Sequence, residues 1–335
     1  MPMLPSFPVK IAGLGHYLPE RRVPNCEIEE NLGLKPGWIA RATGVLERRR
    51  ASADDTNSRM AAAAARRALA ASGLEIDDVD LIVGASASPE QMIPCTAALV
   101  QRELGAPEGH SACFDVNATC LSFAVALQLV APLIASGVYR TALVFSSEVI
   151  AESLNPNEPE SAALMGDAAA AAVLTRAGAN DTGQIHLSRF ATFSGSAHLT
   201  QVLGGGTRCH PNNPRNTPET NQFTMRGPSV FRAASRVLPQ FMDEFFEAVG
   251  WEAGSVDLVV PHQASGHAVA HLASRLGFSP EQVFVNLACR GNCVAASLPL
   301  ALAEAQEQGR LHRGDRVLLL GTGAGLTLGA VALTY

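Results

Sequence analysis

Apolar residues cluster in two kinds of window along this chain. Short runs rich in Val, Ile, Leu and Ala at 8–18, 79–83, 141–146, 168–174, 256–260 and 317–320 read as strands. Longer windows with helical spacing lie between them. One is alanine-rich, covers 54–72 and ends at Gly73; another covers 96–104. A third opens at Cys120, continues through Leu121, Val125, Leu129, Leu133 and Ile134, and stops at Gly137. It is apolar nearly all round, which predicts a buried helix. Its run 121–138 approaches the length of a membrane span, but Gln128, Pro132 and several small residues suit a core helix better. Residues 38–50 are charged and irregular, and 204–221, rich in Gly, Pro and Asn, predict loop.

The order of elements repeats. Val256-Asp-Leu-Val-Val260 echoes Val79-Asp-Leu-Ile-Val83 at an offset of 177, and Val317-Leu-Leu-Leu320 echoes Ala142-Leu-Val-Phe145 at 175. Asn292-Cys293 and the apolar stretch after them echo Cys120 and its helix at 172 and 173. Nearly equal spacings predict duplication of a βαβ-type half, with residues 1–178 as one half and 179–335 as the other.

Composition narrows the class. A net charge of −6 gives no support for binding nucleic acid or an anionic membrane surface. Seven cysteines, an odd number without a C-x-x-C pair, do not form a disulfide framework. The opening residues Met1 to Ser6 lack a basic segment and an apolar segment, so a reduced, cytoplasmic protein without membrane insertion is expected.

The candidate chemistry begins at Phe114-Asp115-Val116-Asn117-Ala118-Thr119-Cys120. Phe114 to Val116 read as a strand end and Thr119 as the N-cap of the following helix. Cys120 is then expected in a first helical turn, where free N–H groups and the helix dipole favour thiolate. On that basis it should react with alkylating agents ahead of Cys95, Cys113, Cys289 and Cys293. A small core cysteine is the competing reading of the stretch by itself. Val260-Pro261-His262-Gln263 follows a second-half strand, and Arg290-Gly291-Asn292 opens the second buried helix. In a duplicated fold, equivalent ends meet, which would bring together a thiol, an imidazole and an amide donor. Other patterns carry less. Gly321-Thr322-Gly323-Ala324-Gly325 leaves too little chain for a dinucleotide site and reads as a backbone turn lining the pocket. Gly84 to Ser88 lacks the second glycine of a hydrolase elbow and reads as a strand-end loop. His267 and His271 have no evident third metal ligand, and they and the run Glu47 to Arg50 read as solvated faces.

Several stretches taken together carry a resemblance. They are Trp38-Ile39 with Thr43-Gly44, Phe114-Asp115-Val116 with Cys120, Gly166-Asp167 before a run of alanines, Pro261-His262-Gln263-Ala264, Gly291-Asn292 with Ala295-Ala296-Ser297, and Gly323 to Gly329. From Lys10 to the C-terminus the chain resembles the β-ketoacyl-acyl-carrier-protein synthase III family of the thiolase superfamily. The resemblance implies an α/β, thiolase-like fold, with a duplicated, five-layered αβαβα arrangement and a homodimer. It implies a catalytic set of Cys120, His262 and Asn292, and an oxyanion hole from the backbone N–H groups of Cys120 and Ala324. The implied reaction acylates Cys120 from an acyl thioester and then condenses it with a malonyl thioester that loses CO2. Coenzyme A or acyl carrier protein would carry the substrates, with no metal and no redox cofactor.

The chain also departs from that family. Trp38, which stacks on adenine in relatives, is present, and Arg41 stands beside the position of a usual arginine, here Ala42. Glu152 and His267 occupy two further positions where members carry arginines around the nucleotide or the carrier entrance. These departures argue against ordinary acetyl-CoA priming. Ile93 replaces the glutamate base of a hydrocarbon-forming branch. Trp38, Arg41, Ile93, Glu152 and His267 are therefore the candidate substrate-binding residues. Two rival functions stand beside condensation: acyl transfer to an alcohol or amine in a secondary-metabolite pathway, and a non-catalytic partner of another synthase.

Overall fold

A computed structural model describes residues 6–335; Met1 to Pro5, part of the stretch read for a targeting signal, lie outside them. The first sheet contains β1 (Val9–Tyr17), β2 (Leu81–Gly84), β3 (Ala112–Asp115), β4 (Thr141–Glu148) and β5 (Ala168–Arg176) in the order β1-β5-β4-β2-β3. β5 runs antiparallel to β1 and β4, while β2 runs parallel to β4 and β3. The second sheet contains β6 (Gln184–Thr192), β7 (Leu258–Pro261), β8 (Arg316–Gly323) and β9 (Thr327–Thr334) in the order β7-β8-β9-β6. Its pairings repeat those of the first sheet: β9 is antiparallel to β6 and β8, and β7 is parallel to β8. A single parallel bridge from Val259 to Val283 stands where β3 pairs with β2 in the first sheet.

Period-two alternation assigns the layers. Leu81 and Val83 of β2 and Ala142 and Val144 of β4 face a central core, whereas Ile82 and Leu143 face outward. Outside lie α1 (Asn57–Ser72) and α2 (Thr96–Leu104), whose alanines and Val100 cover that face. The central core holds α3 (Ser122–Ala135) and, from the second half, α6 (Ser297–Glu307), between the inner faces of both sheets. The outer face of the second sheet, including Val259, Leu318, Leu320 and Ala332, is covered by α4 (Gly227–Val249) and by Leu272 of α5 (Gly266–Arg275). Helix, sheet, helix, sheet, helix is the five-layered αβαβα order. A strand covered on both faces reads as a continuous apolar run, which is how β4 came to be visible in the sequence.

The two central helices correct the register of the repeat. Each begins with a one-turn 3-10 segment, Thr119–Leu121 before α3 and Val294–Ala296 before α6. Thr119 (φ 54°) and Val294 (φ 50°) both lie in the left-handed region. Asn117 Oδ1 accepts from Thr119 N at 2.9 Å, and Asn292 Oδ1 accepts from Val294 N at 2.8 Å. Ser122 Oγ takes the Ala118 N–H at 2.9 Å, and Ser297 Oγ takes the Cys293 N–H at 3.0 Å. These matches are 175 residues apart, as are β4 and β8. The counterpart of Asn292 is therefore Asn117, and that of Cys120 is Ala295; the offsets of 172 and 173 aligned unlike positions. Thr119 is accordingly not an N-cap, because its left-handed backbone keeps it out of the extended conformation a cap requires.

Candidate active site

The end of β8 is the post around which the candidate residues gather. Gly321 lies so close to its neighbours that an added Cβ would stand 2.6 Å from His262 Cβ and 3.1 Å from Leu121 Cδ2. At Gly323 an added Cβ would stand 2.8 Å from Thr119 Oγ1. Two glycines without side chains thus let the His262 segment and the Cys120 turn close onto one strand. His262 follows β7 directly and donates its backbone N–H to Leu320 O at 2.7 Å.

Asn292 is held from behind. Its N–H donates to Leu164 O at 2.9 Å, and its carbonyl accepts from Gly166 N at 3.0 Å. That 163–167 segment is clamped by the arginine run expected to be solvated. Arg48 and Arg50 are buried in the strand Glu47–Arg50, and donate to Ala163 O at 2.5 Å and Met165 O at 2.9 Å. Burial, and then the charge of Arg50, lowers Arg48 to about 10. Asp167, whose carboxylate accepts from Ala51 N and Ile150 N at 2.9 Å, closes the clamp 3.8 Å from Arg50. Cys120 packs in one apolar cluster with Met165 and Val294, the latter two residues beyond Asn292. The sequence elements that carry the thiol, the imidazole and the amide therefore meet.

Their electrostatics differ from the expectation at one point. The Cys120 sulphur faces its own N–H and that of Ala324, both of which favour thiolate. Burial outweighs them, with the nearby Glu148 carboxylate adding to it, and pushes the thiol up to about 12. The thiol is thus protonated at rest, and the dipole argument loses to desolvation. Burial lowers His262 to about 4, so its imidazole is neutral and offers one donor and one acceptor. Its Nδ1 is buried without a partner among the described residues. Because Asn292 Oδ1 is engaged by Val294, its Nδ2 hydrogens remain for a bound group.

A cavity of about 480 Å³ opens from His262, Gly321 and Thr322 and runs between α4 and α5. Its wall is mainly apolar, from residues such as Phe231, Leu238, Val269 and Leu276. The glycine-rich turn lines it, as read from the sequence, through Gly321 and Thr322. Of the five substrate-binding candidates, only His267 lines this cavity, at its rim, with its Nε2 3.0 Å from Arg41 O; the His271 ring lies tilted at 60° to Phe231, their centroids 5.6 Å apart. Trp38 and Arg41 lie on the adjoining short helix Trp38–Thr43, whose last residues Ala42 and Thr43 line the cavity in their place. The Glu29 carboxylate fixes the start of that helix by accepting from Gly37 N and Ile39 N. Glu152 sits in the exposed turn Ala151–Ser153, and Ile93 is 85% exposed on a loop, so neither reaches the cavity of its own chain. Sequence reading missed Glu148, Arg48 and Arg50; a carboxylate ending an otherwise apolar strand was the available signal for the first.

Comparisons with known proteins extend over nearly the whole chain. Residues 114–192 match the family model for 3-oxoacyl-[acyl-carrier-protein (ACP)] synthase III, and residues 246–335 match the model for its C-terminal part. A β-ketoacyl-[acyl-carrier-protein] synthase III from Symbiobacterium thermophilum is 37% identical over 98% of each chain. The crystal structure of 3-oxoacyl-[acyl-carrier-protein] synthase III from Aquifex aeolicus superposes with a TM-score of 0.87 at 34% identity, covering 98% of this chain and all of that one. A priming β-ketosynthase of a polyketide biosynthetic pathway gives a TM-score of 0.89 at 28% identity, covering 99% of this chain and 98% of its own.

Proposed function

The chain belongs to the β-ketoacyl-[acyl-carrier-protein] synthase III family, and we propose from that membership and the site geometry how it works as a condensing enzyme. Cys120 is the nucleophile. At rest the pair is thiol and imidazole, since their proton affinities lie far apart, near 12 and 4. The thiol proton therefore leaves as sulphur attacks the acyl thioester, with His262 as its acceptor. The oxyanion settles on the N–H groups of Cys120 and Ala324, and the carrier thiol departs with the proton. A malonyl thioester then loses CO2, and its enolate oxygen takes hydrogen bonds from neutral His262 and from Asn292 Nδ2. The enolate carbon attacks the acyl-Cys120 carbonyl; collapse of the oxyanion releases the β-ketoacyl thioester and the Cys120 thiolate, which takes up one proton from solvent, replacing the one that left with the carrier thiol. The observation that carries this reading is that the His262 segment and the Cys120 turn both close onto the end of β8 at Gly321 and Gly323, while Val294 of the Asn292 turn packs against Cys120.

In this reading the enzyme is an acyltransferase of the cytoplasm, a location its seven free cysteines support. Among the described residues no helix is long and apolar enough to cross a membrane. It acts as a homodimer: β3 ends its sheet, and the nearby Met92 and Ile93 are 77% and 85% exposed. Acyl carrier protein or coenzyme A delivers the thioesters. Free acyl-CoA is the weaker donor, because Glu152 and His267 stand where relatives carry arginines, and a charge-assisted phosphate contact is stronger than a neutral one. A larger acyl group would offset such a loss at roughly 0.8 kcal/mol per buried CH2.

Intact-mass measurement of the protein against acetyl- and octanoyl-thioesters of coenzyme A and of acyl carrier protein tests this reading. The expected result is one acyl adduct on Cys120, absent in Cys120→Ala, with CO2 release and a β-keto product on adding the malonyl thioester. An adduct that survives in Cys120→Ala overturns the assignment. Acetyl-CoA acting as the best donor, unaffected by Glu152→Arg, overturns the donor preference.

A further inference from the structure

Glu148 ends β4 fully buried, and the reaction described above does not use it. Among the described residues its partners are N–H and O–H groups, not a cation. It accepts from Ala87 N at 2.6 Å, from Ser88 N at 3.1 Å and from Ser88 Oγ at 2.6 Å, and β4 packs against the Val294–Ala296 turn, whose Ala295 N–H faces the carboxylate. A buried carboxylate without a counter-ion is costly, and burial holds Glu148 up at about 7.

What those partners do explains its place. Ala87 and Ser88 belong to the loop after β2, which grips the Cys120 turn on both sides. Asn117 Nδ2 donates to Ala87 O at 3.1 Å before the cysteine, and Ser122 Oγ reaches Ser86 O at 3.4 Å after it. Asn117 Oδ1 in turn holds the N–H of left-handed Thr119, the residue that aims Cys120. The remaining partner, Ala295, lies in the other turn, next to Val294, which engages Asn292. The duplication makes the asymmetry visible: the counterpart of Glu148, 175 residues on, is Gly323, where Thr119 leaves no room for a side chain.

We propose that Glu148 is a positioning residue of the active site, whose single carboxylate braces the Cys120 turn and the Asn292 turn against each other so that thiol and amide keep one spacing through both half-reactions. This rests on Cys120 being the acylated thiol. The charge of Glu148 also opposes formation of the Cys120 thiolate. Among the described residues, Glu148 is the charged group that acts most on Cys120; the Thr119 side chain and the backbone N–H groups of Cys120 and Ala324 also face it, and Met165 and Val294 pack alongside.

The test compares wild type, Glu148→Gln and Ser88→Ala in the full-length protein. Gln keeps the volume, removes the charge and turns an NH2 group toward two donors. In this variant malonyl-thioester decarboxylation should fall by about tenfold to a hundredfold, the scale of a lost buried hydrogen bond. At the same time the pH midpoint for alkylation of Cys120 should move down by about one unit or more. A role in fold stability alone lowers both activities together and leaves the midpoint in place. An unmoved midpoint, or decarboxylation within twofold of wild type, overturns the proposal. If Glu148→Gln does not fold, Ser88→Ala removes one donor at a partly buried position, and decarboxylation within twofold of wild type overturns the brace there too. The acyl adduct of the wild type is mapped first: an adduct away from Cys120 overturns the nucleophile assignment and this role with it, whereas an adduct on Cys120 with unaffected variants overturns this role alone.

Discussion

At the scale of single residues, the thiol proposed as the nucleophile is not the most accessible one. Cys26 and Cys289 are exposed, whereas Cys120 is half-buried and its thiol is pushed up to about 12. Thiolate fraction and access both govern alkylation. Iodoacetamide at pH 7.5 should therefore label Cys26 and Cys289 before Cys120, reversing the order expected from the sequence, while an acyl thioester modifies Cys120 alone. Peptide mapping at timed intervals checks this, and Cys120 labelling first would show that the thiol is activated at rest. For the proposed enolate donors, Asn292→Ala should reduce malonyl decarboxylation by ~10²–10³ and acylation much less, since one positioned donor commonly contributes that much, whereas His262→Ala should slow both steps, because it also takes the Cys120 proton. Stopped-flow CO2 release against intact-mass acylation separates the two steps. That these three residues would come together was legible in the sequence, because thiol, imidazole and amide each stand at a strand end or a helix start. Their proton affinities were not, because desolvation depends on layers supplied by distant segments.

At the scale of elements, the clearest constraint is how closely β8 lets its neighbours approach. Gly321→Ala would place a Cβ 2.6 Å from His262 Cβ, with Leu121 on the other side. Overpacking a filled core commonly costs about 1–3 kcal/mol. The variant should lose stability on that scale and lose decarboxylation beyond its folded fraction, since His262 is displaced; urea unfolding with parallel activity assays measures both. Full activity in a stable Gly321→Ala would mean that the His262 segment moves freely against β8. The sequence revealed strands whose both faces are covered, since these read as unbroken apolar runs. It left β6 and β9 unmarked, although Gln184–Thr192 alternates polar and apolar residues in its first half as a half-covered strand does. The amphipathic α4 was missed as well, with Pro228 in its first turn and Pro239 inside it. The run Glu47–Arg50 misled for a physical reason: charge implies solvent only when no carbonyl-rich segment is near, and 163–167 supplies one.

At the scale of the whole molecule, two buried titrating groups tilt stability in opposite directions. His262 falls to about 4 from an ordinary 6.5, so between those values the unfolded chain binds the extra proton. The stability it permits is complete above pH 6.5 and drains away as pH falls toward 4, by up to about 3 kcal/mol. Glu148 rises from 4.5 to about 7, so there the folded chain binds the extra proton. Its contribution is complete below pH 4.5 and is lost as pH rises through 7, again by up to about 3 kcal/mol. From pH 4.5 to 6.5 the two slopes oppose each other; below that window only His262 acts, and just above it only Glu148. Glu148→Gln deletes the second slope, and its lost hydrogen bonds are the same at every pH. Relative to wild type, the variant should therefore gain stability steadily from pH 4.5 to 7.5, whatever its absolute level. Urea unfolding at these two pH values, at one protein concentration so that association is held constant, measures the difference. A difference between the two proteins that does not change with pH would mean that Glu148 titrates alike in the folded and unfolded chain, and the buried uncompensated carboxylate would have to be abandoned.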